Sequence, residues 1–288
     1  IYTDTDTDTD TDTDTDTDSD TDTDTDTDTD TDADTDTDTD TDVPLCDFTV
    51  SPGQSIQGAI NSASKDQLIC VEAGTYIENL DFYQDGVQLL GLDGPEVTIV
   101  NGGGSDHVVD ISSNPAPTIE GFTLTNGSAA TGGGVSVWNA SPTLANLIVT
   151  GNSAVSRGGG IYIETGSTAT LTDVQVTANS TDAGGGMYLY NCTATLTRVT
   201  VSGNTATGNG GGVMLDSMLS TDLTDVEITD NHGQYGGGIY MSTGSSTMTR
   251  VNLSGNEADF DGGGMYIASA APELTNVTVL GNTGKNGG

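Results

Sequence analysis

The sequence predicts an all-β fold: a solenoid of coils about 26 residues long, with a short N-terminal capping helix, preceded by an extended Thr-Asp repeat strand. Three observations predict it. Glycine triplets begin at Gly132, Gly158, Gly184, Gly210, Gly236 and Gly262, 26 residues apart each time. Asparagines recur at Asn126, Asn152, Asn179, Asn204, Asn231, Asn256 and Asn282, at intervals of 25 to 27. Each unit also carries short alternating segments, such as "VQV" before an asparagine and "MYL" after a glycine triplet, and none carries a helical stripe. Self-similarity at this period marks a repeat architecture. Alternation of period two sends one side chain inward and the next outward. A unit of such short strands cannot bury its apolar face alone, so neighbours must stack. Coils of about three strands, each paired in parallel with its equivalent one coil on, satisfy every backbone group internally, which makes a parallel β-helix.

The chain divides at residue 45 into a Thr-Asp stalk, 1–45, and a solenoid, 46–288, of which 46–116 form a cap and irregular first coils and 117–288 the regular coils. Within the coils, the glycines allow positive φ and close approach at a corner. The asparagines stack as a structural ladder, each amide bonding the next. Six residues before the asparagines runs a second column: Glu120, Asn146, Asp173, Arg198, Asp225, Arg250 and Asn276. Its alternating signs pair Asp173 with Arg198 and Asp225 with Arg250, and a slip of one coil sets like charges together. Ahead of the repeats, "SIQGAINSA" places Ile56, Ala59 and Ile60 on one face, which predicts a short helix beginning near Ser55 that caps the first coil. Cys46 and Cys70 flank the start of the folded region and either pair or remain buried thiols; Cys192 lies in a repeat.

The stretch "SPGQSIQGAINSA…VEAGTYIENL…VQLLGLDG…TIV" resembles the opening coils of the right-handed parallel β-helix superfamily that includes pectate lyases and pectin methylesterases. The later "N-x-A…GGGIY" units resemble the repeat of polymorphic outer-membrane adhesins, with Gly in place of that repeat's Ala, and Val, Ile or Leu in place of its Phe before Asn. The resemblance covers roughly residues 47–288 and implies the winding of the chain. For the lyases and esterases it implies carboxylates grouped with Arg or Lys on one coil face. Hydrolases need two carboxylates at a fixed separation; proton abstraction beside a sugar carboxylate needs a base and charge neutralisation. The chain has five bases in all: Lys65, Arg157, Arg198, Arg250 and Lys285. Arg198 and Arg250 are accounted for by the alternating column, and Arg157 precedes a glycine corner. His107 and His232 fall on unrelated units and read as solvated loop residues. No Ser/His/Asp or Cys/His arrangement, phosphate loop or Cys/His metal spacing is present. The expectation is therefore that the protein is not an enzyme and has no catalytic residues. Acids at coil corners, Asp259 to Asp261 and Thr229 to Asn231, leave a Ca²⁺ site open.

Behind the glycines, the middle residues of the strands form a stripe of Ser136, Tyr162, Tyr188, Met214, Tyr240 and Tyr266. If their apolar neighbours point inward, these point outward, either as stacked support for the sheet or as a contact stripe for sugar rings or another subunit. Trp138 would extend it. Sequons at Asn126, Asn139, Asn179, Asn191, Asn252 and Asn276 are mostly explained by the abundance of Ser and Thr.

Net charge is −38, from 43 acids against five bases. Nucleic acid and anionic membrane surfaces repel such a chain, and divalent cations are drawn to it. No apolar run is long enough to span a bilayer. The first residue is Ile1, no signal peptide is present, and "GNTGKNGG" stops inside a repeat, so both ends read as cut or unfinished. Twenty of the acids alternate with hydroxyl residues over 3–42. In an extended chain, neighbouring carboxylates lie roughly 7 Å apart and repel by about 0.6 kcal/mol before screening. The tract is therefore expected to stretch, to at most about 130 Å.

Three readings of the tract compete: a solvating spacer, a Ca²⁺-binding polyanion, and an O-glycosylated stalk. It resembles the short-peptide-repeat cores of glycan-coated extracellular fibrils, which implies O-linked sugars on Thr3, Thr5, Thr7, Thr9, Thr11, Thr13, Thr15, Thr17, Ser19, Thr21, Thr23, Thr25, Thr27, Thr29, Thr31, Thr35, Thr37, Thr39 and Thr41, with Ala33 a gap in the coat. The functional expectation is an extracellular structural protein, a fibril or surface-stalk subunit that associates head to tail with its own copies. It needs no cofactor, beyond Ca²⁺ along the Asp edge. Its partners are covalent glycans and extracellular polysaccharide. A surface adhesin or carbohydrate-binding passenger is the second reading, and a polysaccharide lyase or hydrolase the third.

Overall fold

The computed structural model describes residues 45–113 and 115–288; the Thr-Asp tract and the expectations attached to it lie outside the described residues. The strands wind in parallel, each paired with its equivalent in the next coil. Ser136 pairs with Tyr162, Tyr162 with Tyr188, Tyr188 with Met214, Met214 with Tyr240, and Tyr240 with Tyr266. Three sheets of 14, 8 and 6 strands wrap the rod. The long sheet contains strands such as Thr168–Thr177 and Ser220–Thr229. The eight-stranded sheet runs from Leu80–Phe82 to Met265–Ile267, and the six-stranded sheet from Ser128–Thr131 to Glu257–Ala258.

Inward residues stack in columns. Leu171, Leu196 and Leu223 form one, and Val176, Val201 and Ile228 another, each residue at most 1 % exposed. Partway along the long sheet one residue per coil takes positive φ: Asn146 (45°), Asp173 (56°), Arg198 (53°), Asp225 (56°), Arg250 (55°) and Asn276 (54°). It is a second consecutive outward residue, after which alternation restarts with Val174 or Val226 inward. Here the structure corrects the column read from the sequence. Ala145 pairs with Glu120 and Leu147 with Phe122, so Asn146 stands over Gly121 (φ 81°), not over Glu120. Asp173 accepts a two-pronged bond from Arg198 at 2.6 and 2.7 Å, and Asp225 one from Arg250 at 2.5 and 2.7 Å.

The asparagine ladder runs from Asn152 to Asn282. Asn204 shows the pattern: its Oδ1 accepts from both the backbone N–H and Nδ2 of Asn179, at 2.9 and 3.1 Å. Its Nδ2 donates to Asn231 Oδ1 at 3.0 Å and to the Val176 carbonyl at 2.8 Å. Every donor and acceptor of the buried amide is thus used. Asn126 is not part of the ladder. The chain reads Asn126-Gly127 where later coils read Gly151-Asn152, so Gly127 N–H meets Asn152 Oδ1 and the exposed Asn126 occupies the positive-φ position of Gly151. The glycine triplets lie in one row, with Gly134 N–H donating to Gly160 at 2.9 Å and Gly160 to Gly186 at 3.0 Å. A Cβ on Gly160 would stand 2.7 Å from the Gly186 carbonyl and 2.8 Å from Asn179 Nδ2, so the ladder itself excludes a side chain there.

Helix Ile56–Ser62 closes the first coil, with Ile56 and Ile60 buried and Ser55 as N-cap, its hydroxyl accepting from Gly58 N–H at 2.9 Å. Glu78 accepts from Ile56 N–H, Gln57 N–H and the Ser55 hydroxyl. The Gln57 amide bonds both backbone groups of Asp81, accepting at 2.7 Å and donating at 3.2 Å, and so stands in for the missing strand beside Leu80–Phe82. Cys46 and Cys70 are joined in a disulfide across the first strand pair. Cys192 is a buried thiol whose pKa burial pushes up to about 12.

Replacing a ladder amide leaves buried partners on both neighbouring coils unsatisfied. Asn204→Ala is expected to cost about 2–3 kcal/mol in urea unfolding. Asn126→Gly, which restores the residue type found at 151, should stay within about 0.5 kcal/mol of the parent. Equal losses would show that the ladder does not set stability.

Candidate functional site

The outer face of the eight-stranded sheet carries two outward columns. The first is Asp81, Asp110, Ser136, Tyr162, Tyr188, Met214, Tyr240 and Tyr266, in register from end to end. The second, two residues further along each strand, includes Ser112, Trp138, Glu164, Tyr190 and Asp216. Tyr83 directly follows the strand Leu80–Phe82, whose Phe82 pairs with Ile111, and lies beyond that strand's end in the coil before Ser112.

The expected contact stripe is corrected in its middle. Tyr162, Tyr188 and Met214 are only 3 %, 4 % and 7 % exposed, and Ser136 8 %. They do stand apart from the main core, as a second apolar cluster with Ala183, Tyr190 and Tyr240 packed around them. Large rings one strand spacing apart cover one another, and the chain entering the glycine corner covers them further. The Tyr162 and Tyr188 ring centroids are 5.7 Å apart, those of Tyr240 and Tyr266 are stacked at 5.2 Å, and the Arg157 guanidinium lies 5.4 Å above Tyr188. Their hydroxyls are also committed. Tyr162 donates to Glu164, and Tyr188 to Asp216 at 2.8 Å, which also accepts from the Ser242 hydroxyl. Burial, reinforced by Glu164 and opposed by Arg157, pushes the Tyr162 phenol up to about 12; burial and then Asp216 raise Tyr188 as well. Phenols held protonated this way are not bases at neutral pH.

The N-terminal end of the face differs. Asp81 and Asp110 sit directly opposite one another on adjacent strands. Burial, then Asp110 and Asp106, raise the Asp81 carboxyl above its ordinary value, with His107 pulling the other way. His107 donates from Nδ1 to the Gly132 carbonyl at 2.8 Å, which fixes the tautomer, and its Nε2 lies 3.7 Å from Asp106. Beside this pair stand the exposed rings of Tyr83 (63 %) and Trp138 (51 %). Sequence reasoning missed Asp81, Asp110 and Tyr83 because they precede the regular repeat. Their signal was the strand pattern itself: "LDF" and "VDI" carry the same outward middle position as "VSV" and "IYI".

Other candidates are dispersed. Asp259 turns to His232 at 3.2 Å, Asp261 accepts from Asn286 at 2.7 Å, and Asn231 is spent in the ladder. No group of three or more His, Cys, Asp or Glu side chains among the described residues is arranged to hold a metal ion. Asn179 is buried in the ladder, whereas Asn126, Asn139 and Asn276 are exposed. A shallow groove of about 400 Å³ on the six-stranded sheet is lined by Ala154, Val155, Ser180, Thr181, Asp182 and Thr207, with Asp182 held by the Thr207 hydroxyl at 2.9 Å.

The family model of the right-handed β-helix region matches residues 66–221 and 133–288. The chain belongs to the right-handed β-helix family. Two solved structures are similar to the chain. The pectate lyase Pel9A is 12 % identical with a TM-score of 0.47, over 84 % of this chain and 78 % of that one. The PL6 family alginate lyase AlyGC is 14 % identical with a TM-score of 0.35, over 82 % of this chain and 39 % of that one. No curated protein matches the sequence significantly. No helix among the described residues of this β-helix is long and apolar enough to cross a membrane.

The Asp81–Asp110 pair makes a pH-dependent prediction. Because Asp81 holds its proton more tightly in the folded state, stability falls as pH rises from 3.8, its ordinary value, through the raised folded value. Asp81→Asn should therefore stabilise the protein at pH 7 by roughly 0.5 kcal/mol, and the gain should vanish below the ordinary carboxylate range. A gain that persists at low pH in urea titrations would mean that charge repulsion is not its source.

Proposed function

We propose that the chain is a non-catalytic extracellular structural protein, the subunit of a fibril or surface stalk, in which a rigid β-helical rod carries an extended, O-glycosylated Thr-Asp arm. The observation that carries this reading is how the rod uses its basic groups. Arg198 and Arg250 are each clamped by two bonds to an aspartate of the preceding coil. Arg157 covers Tyr188, Lys65 pairs with Asp85 at 2.7 Å, and His232 pairs with Asp259. Eliminating a bond beside a sugar carboxylate needs a base and a cation free to meet that carboxylate. Here the three arginines, Lys65 and His232 hold parts of the rod to one another. The Cys46–Cys70 bridge supports an oxidising, extracellular setting. The uninterrupted ladder from Asn152 to Asn282 supports a stiff, uniform element, which suits a spacer or filament. The reading requires no cofactor; Ca²⁺ along the Asp edge of the tract would add stiffness by neutralising neighbouring carboxylates.

The test uses the full chain from its native source. Intact mass should exceed the sequence mass in hexose-sized increments, with the excess on the N-terminal peptide after proteolysis, and light scattering should show particles larger than one chain. An unmodified mass together with a monodisperse monomer would rule the reading out. Turnover of an acidic polysaccharide by the purified chain would replace it with the lyase reading.

A further inference from the structure

We infer that the N-terminal end of the eight-stranded sheet binds an uncharged glycan chain, with Tyr83 and Trp138 as stacking platforms and Asp110 as the hydroxyl acceptor between them. This site goes beyond the structural role proposed above and does not depend on it. Tyr83 and Trp138 are the exposed aromatic rings of this face among the described residues, at 63 % and 51 %, where the other outward rings are buried (Tyr162, Tyr188) or half-buried (Tyr190, Tyr240, Tyr266). Trp138 pairs with Ser112, and Tyr83 follows Phe82, the partner of Ile111 one residue before Ser112, so Ser112 lies in the coil between them. Two coil steps separate them by about 10 Å, the span of two sugar units in an extended chain. Rings spaced this way present flat apolar faces to alternate sugars, since aromatic side chains cover apolar surface while leaving polar edges wet. The intervening sugar then lies over Ser112 and beside Asp110, which faces Asp81 on one side and Ser136 on the other. Hydroxyl and carboxylate acceptors suit a diol.

Charge complementarity selects the class of sugar. Asp81 and Asp110 face each other at this end with Asp106 close by, their charges adding to burial in raising the Asp81 carboxyl, and the chain as a whole is at −38. A uronate is repelled here, and no arginine stands among the in-register residues from Asp81 to Trp138 to neutralise it. A neutral β-linked hexose chain meets no such barrier.

Trp138 is the sole tryptophan of the protein, so its emission reports on this site alone. The full chain is titrated with cellohexaose, mannohexaose and hexagalacturonate while Trp138 fluorescence is followed. A saturable change with a neutral hexasaccharide and none with hexagalacturonate is expected. In Tyr83→Ala, which keeps the reporter, affinity should drop at least tenfold with an unchanged circular dichroism spectrum, and Asp110→Asn should lower it several-fold. The inference is overturned if no neutral probe changes the emission at millimolar concentration. It is also overturned if hexagalacturonate binds as well, or if Tyr83→Ala binds unchanged. An emission shift that follows protein concentration without sugar would assign the rings to contact between copies instead. None of these outcomes bears on the intact mass of the N-terminal peptide, so the two proposals fail separately.

Discussion

The whole rod depends on one geometric requirement, that each ladder asparagine find the next directly above it at strand spacing. An amide such as that of Asn204 bonds two groups of Asn179 and the Val176 carbonyl in the preceding coil, and Asn231 in the next. Those bonds exist only if every coil returns to the same point. Coil lengths of 25 and 27 residues between ladder positions are absorbed elsewhere, in the turns, while the glycine row and the inward columns stay aligned. Glycine at the third triplet position follows from this, because the ladder amide fills the space a Cβ would need. A slip of one residue would turn every leucine and valine column outward and strand the amides in an apolar interior, where an unpaired polar group is costly. Packing and hydrogen bonding therefore specify the same register.

A stacked architecture also decides what its outer faces can do. Whatever residue type occupies an outward column is repeated at strand spacing, so chemistry that tolerates close repetition accumulates and chemistry that does not must be broken up. Tyrosines tolerate it and become self-covering, which removes Tyr162 and Tyr188 from the surface. Carboxylates do not: burial, and after it the facing Asp110, raise the Asp81 carboxyl. Where Ser136 separates the acids from the tyrosines, the column changes character, and the neighbouring column exposes Trp138 at the same level. Surface specificity in such a rod arises where the repeat is interrupted.

That contrast explains what could be read from the sequence. The winding, the glycine row, the helix begun at Ser55 and the Asp–Arg pairs follow from periods and signs, which survive without knowledge of side-chain packing. The two-residue strands of the six-stranded sheet, such as Ser180–Thr181, are too short to show alternation. The shift of Asn126 out of the ladder turns on the order of two residues, Asn-Gly against Gly-Asn, within one marker period. Glu120 was misplaced by one position for the same reason: Gly121 fills the positive-φ site that later coils give to Asn, Asp or Arg. Covering of the tyrosines was not legible because it depends on Arg157 and the corner chain folding over them, a contact between residues with no common period.

The positive-φ column raises a question of energetics. Asn, Asp and Gly are the residues that tolerate a left-handed backbone, and they fill five of the seven positions from Gly121 to Asn276; Arg198 and Arg250 fill the other two at φ 53° and 55°. An arginine there strains the backbone, and both ion pairs are exposed, so solvent screening leaves them little net stability. Stability alone would place asparagine at every coil. What the arginines add is discrimination. The order Asp173, Arg198, Asp225, Arg250 sets opposite charges together only when each coil meets its own neighbour, and a displaced coil would bring Asp against Asp or Arg against Arg. In a chain of near-identical coils, where a misaligned one still buries leucine on leucine, that penalty distinguishes the correct stacking from its closest competitors. Two of the three arginines of this acidic protein are thus placed where they choose between registers.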